Sequence, residues 1–404
     1  MPDLAPLASS IPSAETIGRA EEDLLSRARE GAGLSDFGED GFREGLRALL
    51  AMYTTTGGLT PQGRKSTRRR LIELLSNRLR IAEAFRQHPE IRARSITRPV
   101  YLTGLPRTGT SALFNVLAKD SASRPLLFWE GRHPDPLFNE GAVVRSTADG
   151  ALDPRFVALS AALERGRQNN PAFAKIHYVR ADGPEECVEL LAHTLSSVMM
   201  GVEPLLAPYD AWFQAQDLRP SYAYYRDLLK LIDWQRPGER WLLKSPCHLW
   251  AIDVLVEMFP DACIVQTHRN PVQIIGSYCS MMAALMAGRE SFDPAELGNA
   301  VLEYLSRSVE RAMAAREKAD PKRFVDIQYR AFMADPMGTV ERVYGAFGLE
   351  LRGETADAMA RHLREEVQNK HGSHDYTLEQ FGLSKEKVQK RLAGYVERFD
   401  VPVA

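Results

Sequence analysis

The segment from Arg98 to Lys119, RPVYLTGLPRTGTSALFNVLAK, constrains the fold of this chain more than any other. The apolar run Val100-Tyr101-Leu102-Thr103 reads as a buried strand, and Ala112 to Ala118 has the spacing of a helix. Between them lies the loop Gly104-Leu105-Pro106-Arg107-Thr108-Gly109-Thr110-Ser111. A strand feeding a tight turn that opens a helix gathers backbone N–H groups at one place, and the helix N-terminus favours an anion there. The four residues between Gly104 and Gly109 give the spacing of a Walker loop, and Ser111 stands where that loop has its hydroxyl residue. The Walker lysine, however, is replaced by Thr110, and Arg107 is the cation inside the loop. The pattern predicts a phosphate cradle for a nucleotide-like donor other than ATP.

With 404 residues the chain can bury a large core in more than one lobe. Its net charge of −2 gives no nucleic-acid footprint, and no apolar run is long enough to span a bilayer. Residues 1–15 lack the basic and apolar regions of a secretory signal. The four cysteines, Cys187, Cys247, Cys263 and Cys279, have no CxxC spacing and read as reduced thiols of a cytoplasmic protein. Residues 1–95 form a helical N-terminal region, with Phe42, Leu46, Leu49, Leu50 and Tyr53 at helical spacing, followed by Leu71, Leu74, Leu75 and Leu79. The arginine run Arg64 to Arg70 reads as a solvated helix end. The main domain then spans 96–404. Strands are expected at Val100, Trp241–Leu243, Cys263–Thr267 and Phe324–Gln328, each short, apolar and separated by long helical patterns, as in a buried parallel sheet. A mostly helical insertion of about 120–238 is expected to cover the acceptor side of the site.

A second anion motif follows the Cys263 strand. Arg269 ends the strand, Asn270-Pro271 turns, and Ser277 lies eight residues after Arg269 on the next helix. Eight residues is slightly over two helical turns, so Ser277 and a group at the helix start can share one side. An arginine fork and a serine hydroxyl placed so can grip a second phosphate. The competing assignment is a carboxylate-paired arginine and a helix-surface serine.

Together the two motifs resemble the superfamily of sulfotransferases that use 3′-phosphoadenosine 5′-phosphosulfate (PAPS), and within it the bacterial branch with a G-x-P-R-T-G-T-[ST] loop. Three further elements occur in the order of that branch: Trp129-Glu130, Lys244-Ser245-Pro246-Cys247-His248-Leu249, and the late segment Lys370 to Tyr376 with Gly372. The resemblance implies a P-loop-type α/β fold, a parallel sheet flanked by helices. It implies sulfuryl transfer from PAPS to a hydroxyl, less readily an amine, of a small or lipid-like acceptor, without a metal. Pro106, Arg107, Thr108, Gly109, Thr110 and Ser111 then hold the 5′-phosphosulfate. Arg269 and Ser277 hold the 3′-phosphate, with Lys370 and Gly372 beside it and Tyr329 near the adenine. Arg107 replaces the loop lysine of the animal cytosolic branch; it keeps the charge and cannot give up a proton.

Sulfuryl transfer needs in-line positioning and neutralisation of charge on the leaving oxygen, for which Arg107 and Lys244 are the candidates. Two residues compete as the acceptor's base. His248 lies downstream of a strand-end lysine and has the better ordinary pKa. Glu130 lies 23 residues past Arg107, and the resemblance favours it, because the Trp-Glu pair accompanies the Arg-type loop in that branch; the alternative for it is an ion pair with Arg107 or Arg132. Glu185 and Glu186 can also face the pocket, but the pattern predicts the first turn of a helix beginning near Pro184. Met199, Met200, Met281, Met282 and Met286 read as core, or as an apolar acceptor wall. The rival functions are an NTP-dependent kinase or ATPase, which needs the missing lysine and a Mg²⁺ site, and a non-catalytic nucleotide-binding protein.

Overall fold

A computed structural model describes residues 13–55, 58–144, 152–169, 179–196, 202–365 and 376–403. The strand expected at Val100 is β1 (Val100–Gly104), buried along its length. It lies at the centre of a five-stranded sheet with β2 (Ser123–Pro125), β5 (Arg240–Lys244), β6 (Cys263–His268) and β7 (Phe324–Gln328), in the order β2-β5-β1-β6-β7. Every pairing is parallel. Two further strands, β3 (Leu137–Asn139) and β4 (Ala142–Val144), form a separate antiparallel hairpin.

The near-continuous apolar strands follow from burial on both faces. Alternate residues enter different cores, because successive side chains of a strand point to opposite faces. Tyr101, Leu243 and Ile264 pack into a large core that includes the N-terminal helices. Val100, Leu102, Leu242, Val265, Val325 and Ile327 pack with Leu113 and Phe114 on the other face. The sheet's middle is a topological switch point: the chain leaves β1 and later returns on both sides of it, as β5 and β6. Such a crevice at strand carboxyl ends is where open α/β sheets bind ligands.

The N-terminal region is helical as expected, with α1 (Ala14–Ala32), α2 (Phe42–Thr55) and α3 (Pro61–Gln87). Thr60 caps α3 by accepting from the Gly63 N–H at 3.0 Å, and Pro61 suits its first turn. The arginine run lies at the N-terminal end of this helix. It is ion-paired: Arg68 meets Asp23, and Arg70 is buried against Glu73 and Glu189.

Two expectations for the insertion change. It carries β2 and the β3–β4 hairpin among its helices, elements too short for periodicity to register. The acids of Gly183-Pro184-Glu185-Glu186-Cys187 do not open a helix at Pro184; the helix begins at Val188. Pro184 bridges Leu127, the Glu185 N–H donates to Leu126 O at 2.8 Å, and the Cys187 N–H donates to Lys244 O at 2.9 Å. These tertiary bonds hold the two glutamates extended between the end of β2 and the end of β5. Met282 and Met286 are core residues; Met199 and Met200 lie outside the described residues. All four cysteines are free thiols. No described helix is long and apolar enough to cross a membrane.

Candidate active site

The loop after β1 opens α4 (Thr110–Leu117). Gly104 has φ 141°, and a Cβ there would come within 2.5 Å of Thr267 O on the neighbouring strand, so only glycine lets β1 and β6 approach at their ends. Arg107 and Gly109 both take left-handed backbone, φ 66° and 87°. For arginine that conformation is disfavoured, and it is over-determined by its surroundings. The loop is pinned from beneath by Thr108, whose hydroxyl bonds Leu105 O and Thr267 Oγ1, each at 2.6 Å. Pro106 and Thr110 are buried, whereas Arg107 and Ser111 are exposed. No side chain caps the first turn of α4, which leaves its amides to a ligand.

Around this cradle the structure brings the second motif. Arg107 Nε donates to Ser277 Oγ at 3.0 Å, and Arg269 Nη1 donates to the carbonyl of Arg107 at 2.9 Å. Ser277 lies on the helix Pro271–Leu285, whose start is capped by Asn270. The Arg269 guanidinium stacks 4.3 Å over the ring of Tyr329, and a Cβ on Gly109 would sit 2.8 Å from that same ring. Tyr329, Gly109 and Arg269 thus form one wall. The C-terminal segment supports it through Tyr395 and Val403: the Arg269 N–H donates to Tyr395 Oη at 3.3 Å, and Asn270 Nδ2 donates to Val403 O at 3.0 Å. No feature of the sequence marks Tyr395 for this role. Lys370 and Gly372 lie outside the described residues. Tyr376, at the end of their segment, packs on Gly276 beside Ser277.

Lys244, at the end of β5, is only 4% exposed. Its ammonium donates to Ser111 Oγ at 3.1 Å and to Glu186 Oε1 at 2.7 Å, and lies 5.7 Å from the centre of the Phe114 ring. Ser245 Oγ donates to the other Glu186 oxygen at 3.4 Å. Glu185 is next to it and accepts the Glu186 N–H at 2.8 Å. Burial pushes the Glu185 carboxyl up to about 7; the Glu186 charge adds to this, while Lys244 opposes it.

The two residues proposed from sequence as the base have their hydrogen bonds elsewhere. Glu130 is buried and accepts from Arg124 at 2.8 and 3.2 Å, from Arg236 Nε at 2.9 Å and from the Leu127 N–H at 3.1 Å. The expected partners Arg107 and Arg132 are not among these; Arg132 pairs with Glu73. His248 is fully buried, with Nδ1 2.7 Å from Tyr222 Oη and its ring edge-on to Tyr101 at 5.1 Å. Burial pulls its pKa down to about 3, so the imidazole is neutral.

An anion cradle, a second phosphate grip and a lysine at the strand end can bind a doubly phosphorylated nucleotide and stabilise transfer from its 5′ end. Known proteins share this fold. Sulfotransferase STF1 of Mycobacterium tuberculosis superposes with a TM-score of 0.80 at 35% identity, over 96% of this chain and all of that one. Sulfotransferase STF9 of Mycobacterium avium gives 0.84 at 29% identity, over 95% of this chain and 97% of that one. The omega-hydroxy-beta-dihydromenaquinone-9 sulfotransferase Stf3 of Mycobacterium tuberculosis is 23% identical over 290 residues, 70% of this chain and 71% of that protein. The sequence profile described as "Sulfotransferase family" matches residues 99–353, more than half of the chain, and the protein belongs to that family.

Proposed function

We propose that this sulfotransferase takes its sulfuryl group from PAPS and delivers it to the hydroxyl of a lipid-like acceptor. The observation that carries the donor assignment is the joining of the two anion motifs through Arg107, with its side chain on Ser277 and its carbonyl on Arg269. A ligand with phosphates at both the 5′ and 3′ ends satisfies both. The residues present fit it: the first-turn amides of α4 are uncapped, and the Tyr329 ring closes on Gly109 where an adenine can stack. PAPS, when bound, supplies an activated sulfuryl group with a stable leaving phosphate. The amides from Arg107 to Ser111 orient that end. Arg107 and Lys244 neutralise charge on the leaving oxygen, and Arg269 with Ser277 fixes the 3′ end. The lipid-like acceptor follows the Stf3 relative, whose name gives a hydroxylated menaquinone as its substrate.

Binding tests the donor assignment. Adenosine 3′,5′-bisphosphate should raise the melting temperature at concentrations where 5′-AMP does not, and equally with or without Mg²⁺. Loss of the Arg269 fork removes a charge-assisted contact of about 1.5–3 kcal/mol, roughly 10- to 100-fold in affinity. Arg269→Ala should therefore erase most of the preference for the 3′-phosphate. Equal affinity of the wild type for the two nucleotides would defeat the assignment.

A further inference from the structure

We infer that Glu186 is the acceptor's general base, held ready by Lys244 and Ser245; this rests on the proposed function. Glu186 is bonded to the strand-end lysine that reaches the donor cradle. Through Lys244 it is one side chain from Ser111, at the mouth of the phosphate loop. The loop and the end of β5 thus meet at this one carboxylate. Glu130 has both oxygens engaged by arginines, and His248 is sealed among tyrosines. Neither can meet an acceptor without dismantling those contacts.

The ion pair also explains how the base stays out of the donor's way. Lys244 shares its protons between Ser111 and Glu186. A sulfuryl group entering beside Ser111 draws the ammonium toward itself and frees a Glu186 oxygen. In the transfer, Glu186 takes the proton of the acceptor hydroxyl while the acceptor oxygen bonds to sulfur. The bond from sulfur to the 5′-phosphate oxygen breaks, and its electron pair stays on that oxygen against Arg107 and Lys244, both of which keep their protons. The products are the sulfate ester, the bisphosphate and a protonated Glu186, which returns its proton to water. Glu185, with a carboxyl near neutrality, stands beside it.

Glu186→Gln tests this by two readouts. Removing a negative charge that competes for Lys244 should make adenosine 3′,5′-bisphosphate bind several-fold tighter by calorimetry. With labelled PAPS and 1-dodecanol or an ω-hydroxylated menaquinone in detergent, kcat should fall about 100-fold or more while KM for PAPS does not rise. Glu186→Asp should recover part of the loss. Weaker bisphosphate binding in Glu186→Gln would make Glu186 a positioning group for Lys244 and overturn its role as base, as would turnover within threefold of wild type. A wild type that fails to bind the bisphosphate would instead remove the donor assignment itself.

Discussion

Glu130 and Glu186 are both glutamates within reach of arginine or lysine, yet their surroundings give them different work. Glu130 is 2% exposed and pairs with both the buried Arg124 and the more exposed Arg236. Replacing one partner of a buried charge cluster strands the others, at a typical cost of about 3–5 kcal/mol. Glu130→Gln should accordingly lose stability of that order in chemical denaturation. Its turnover per folded molecule should fall far less than that of Glu186→Gln. A stable variant with a selective loss of kcat would restore Glu130 as the base. From sequence Glu130 is the favoured base and Glu186 a first-turn helix acid, because nothing local marks residues 184–186 as non-helical. What separates them is the extended path of residues 184–186, set by bonds to Leu126, Leu127 and Lys244 that lie far apart in the chain. The sequence pattern places Arg107, Lys244, Arg269 and Ser277 on the loop, the end of β5, the end of β6 and the helix after it, which is where the structure brings them into contact.

At the scale of elements, the second phosphate grip proposed at Arg269 and Ser277 depends on a segment that its own motif does not include. The turn before the helix Pro271–Leu285 is held by Tyr395 and, through Asn270, by the backbone at Val403. Tyr395 is 1% exposed and in ring contact with His268 and Phe399, so its hydroxyl has little freedom to find another partner. Tyr395→Phe leaves the Arg269 N–H without its acceptor, an omission worth about 1–3 kcal/mol when buried. The variant should bind adenosine 3′,5′-bisphosphate about 5- to 100-fold more weakly, with 5′-AMP binding nearly unchanged, as titration calorimetry would show. Equal losses for both nucleotides would point to general loosening of the fold. The strands were readable from their apolar runs, and the observed bounds differ from the expected ones by a residue at each end of β5 and at the end of β6. By contrast β2 spans three residues, one of them Pro125, and carries no period; it exists because β5 offers an edge for it to pair with.

For the whole molecule, two groups, His248 and Glu185, pull the pH dependence of stability in opposite directions. His248 is held far below its ordinary value, so the unfolded chain takes up a proton that the native state refuses. Its contribution is full above about pH 6.5 and is lost as pH falls toward about 3. Glu185 is raised to about 7, so the native state binds the extra proton, and stability falls as pH rises from the ordinary carboxyl range to about 7. Between those limits the two largely offset one another. His248→Gln, which can still bond Tyr222, should remove the acid-side loss, so that acidifying from pH 7.5 to 5 costs the variant about 2 kcal/mol less than wild type. Glu185→Gln should show the opposite, a steeper loss on acidification. Parallel urea curves at the two pH values would decide it, and identical pH slopes in all three proteins would refute both assignments.

The strand order carries a consequence for how the protein comes into being. Strand β1 is synthesised first, but its neighbours on the sheet are β5 and β6, and β2, which follows it, pairs with β5 instead. From the time Val100–Gly104 leaves the ribosome until Arg240 emerges, an apolar, unpaired strand waits on both edges. At ordinary translation rates that interval lasts on the order of ten seconds. Through it, the nascent chain presents a sticky ribbon and no nucleotide site, and anything that shelters hydrophobic segments during synthesis has this window in which to act.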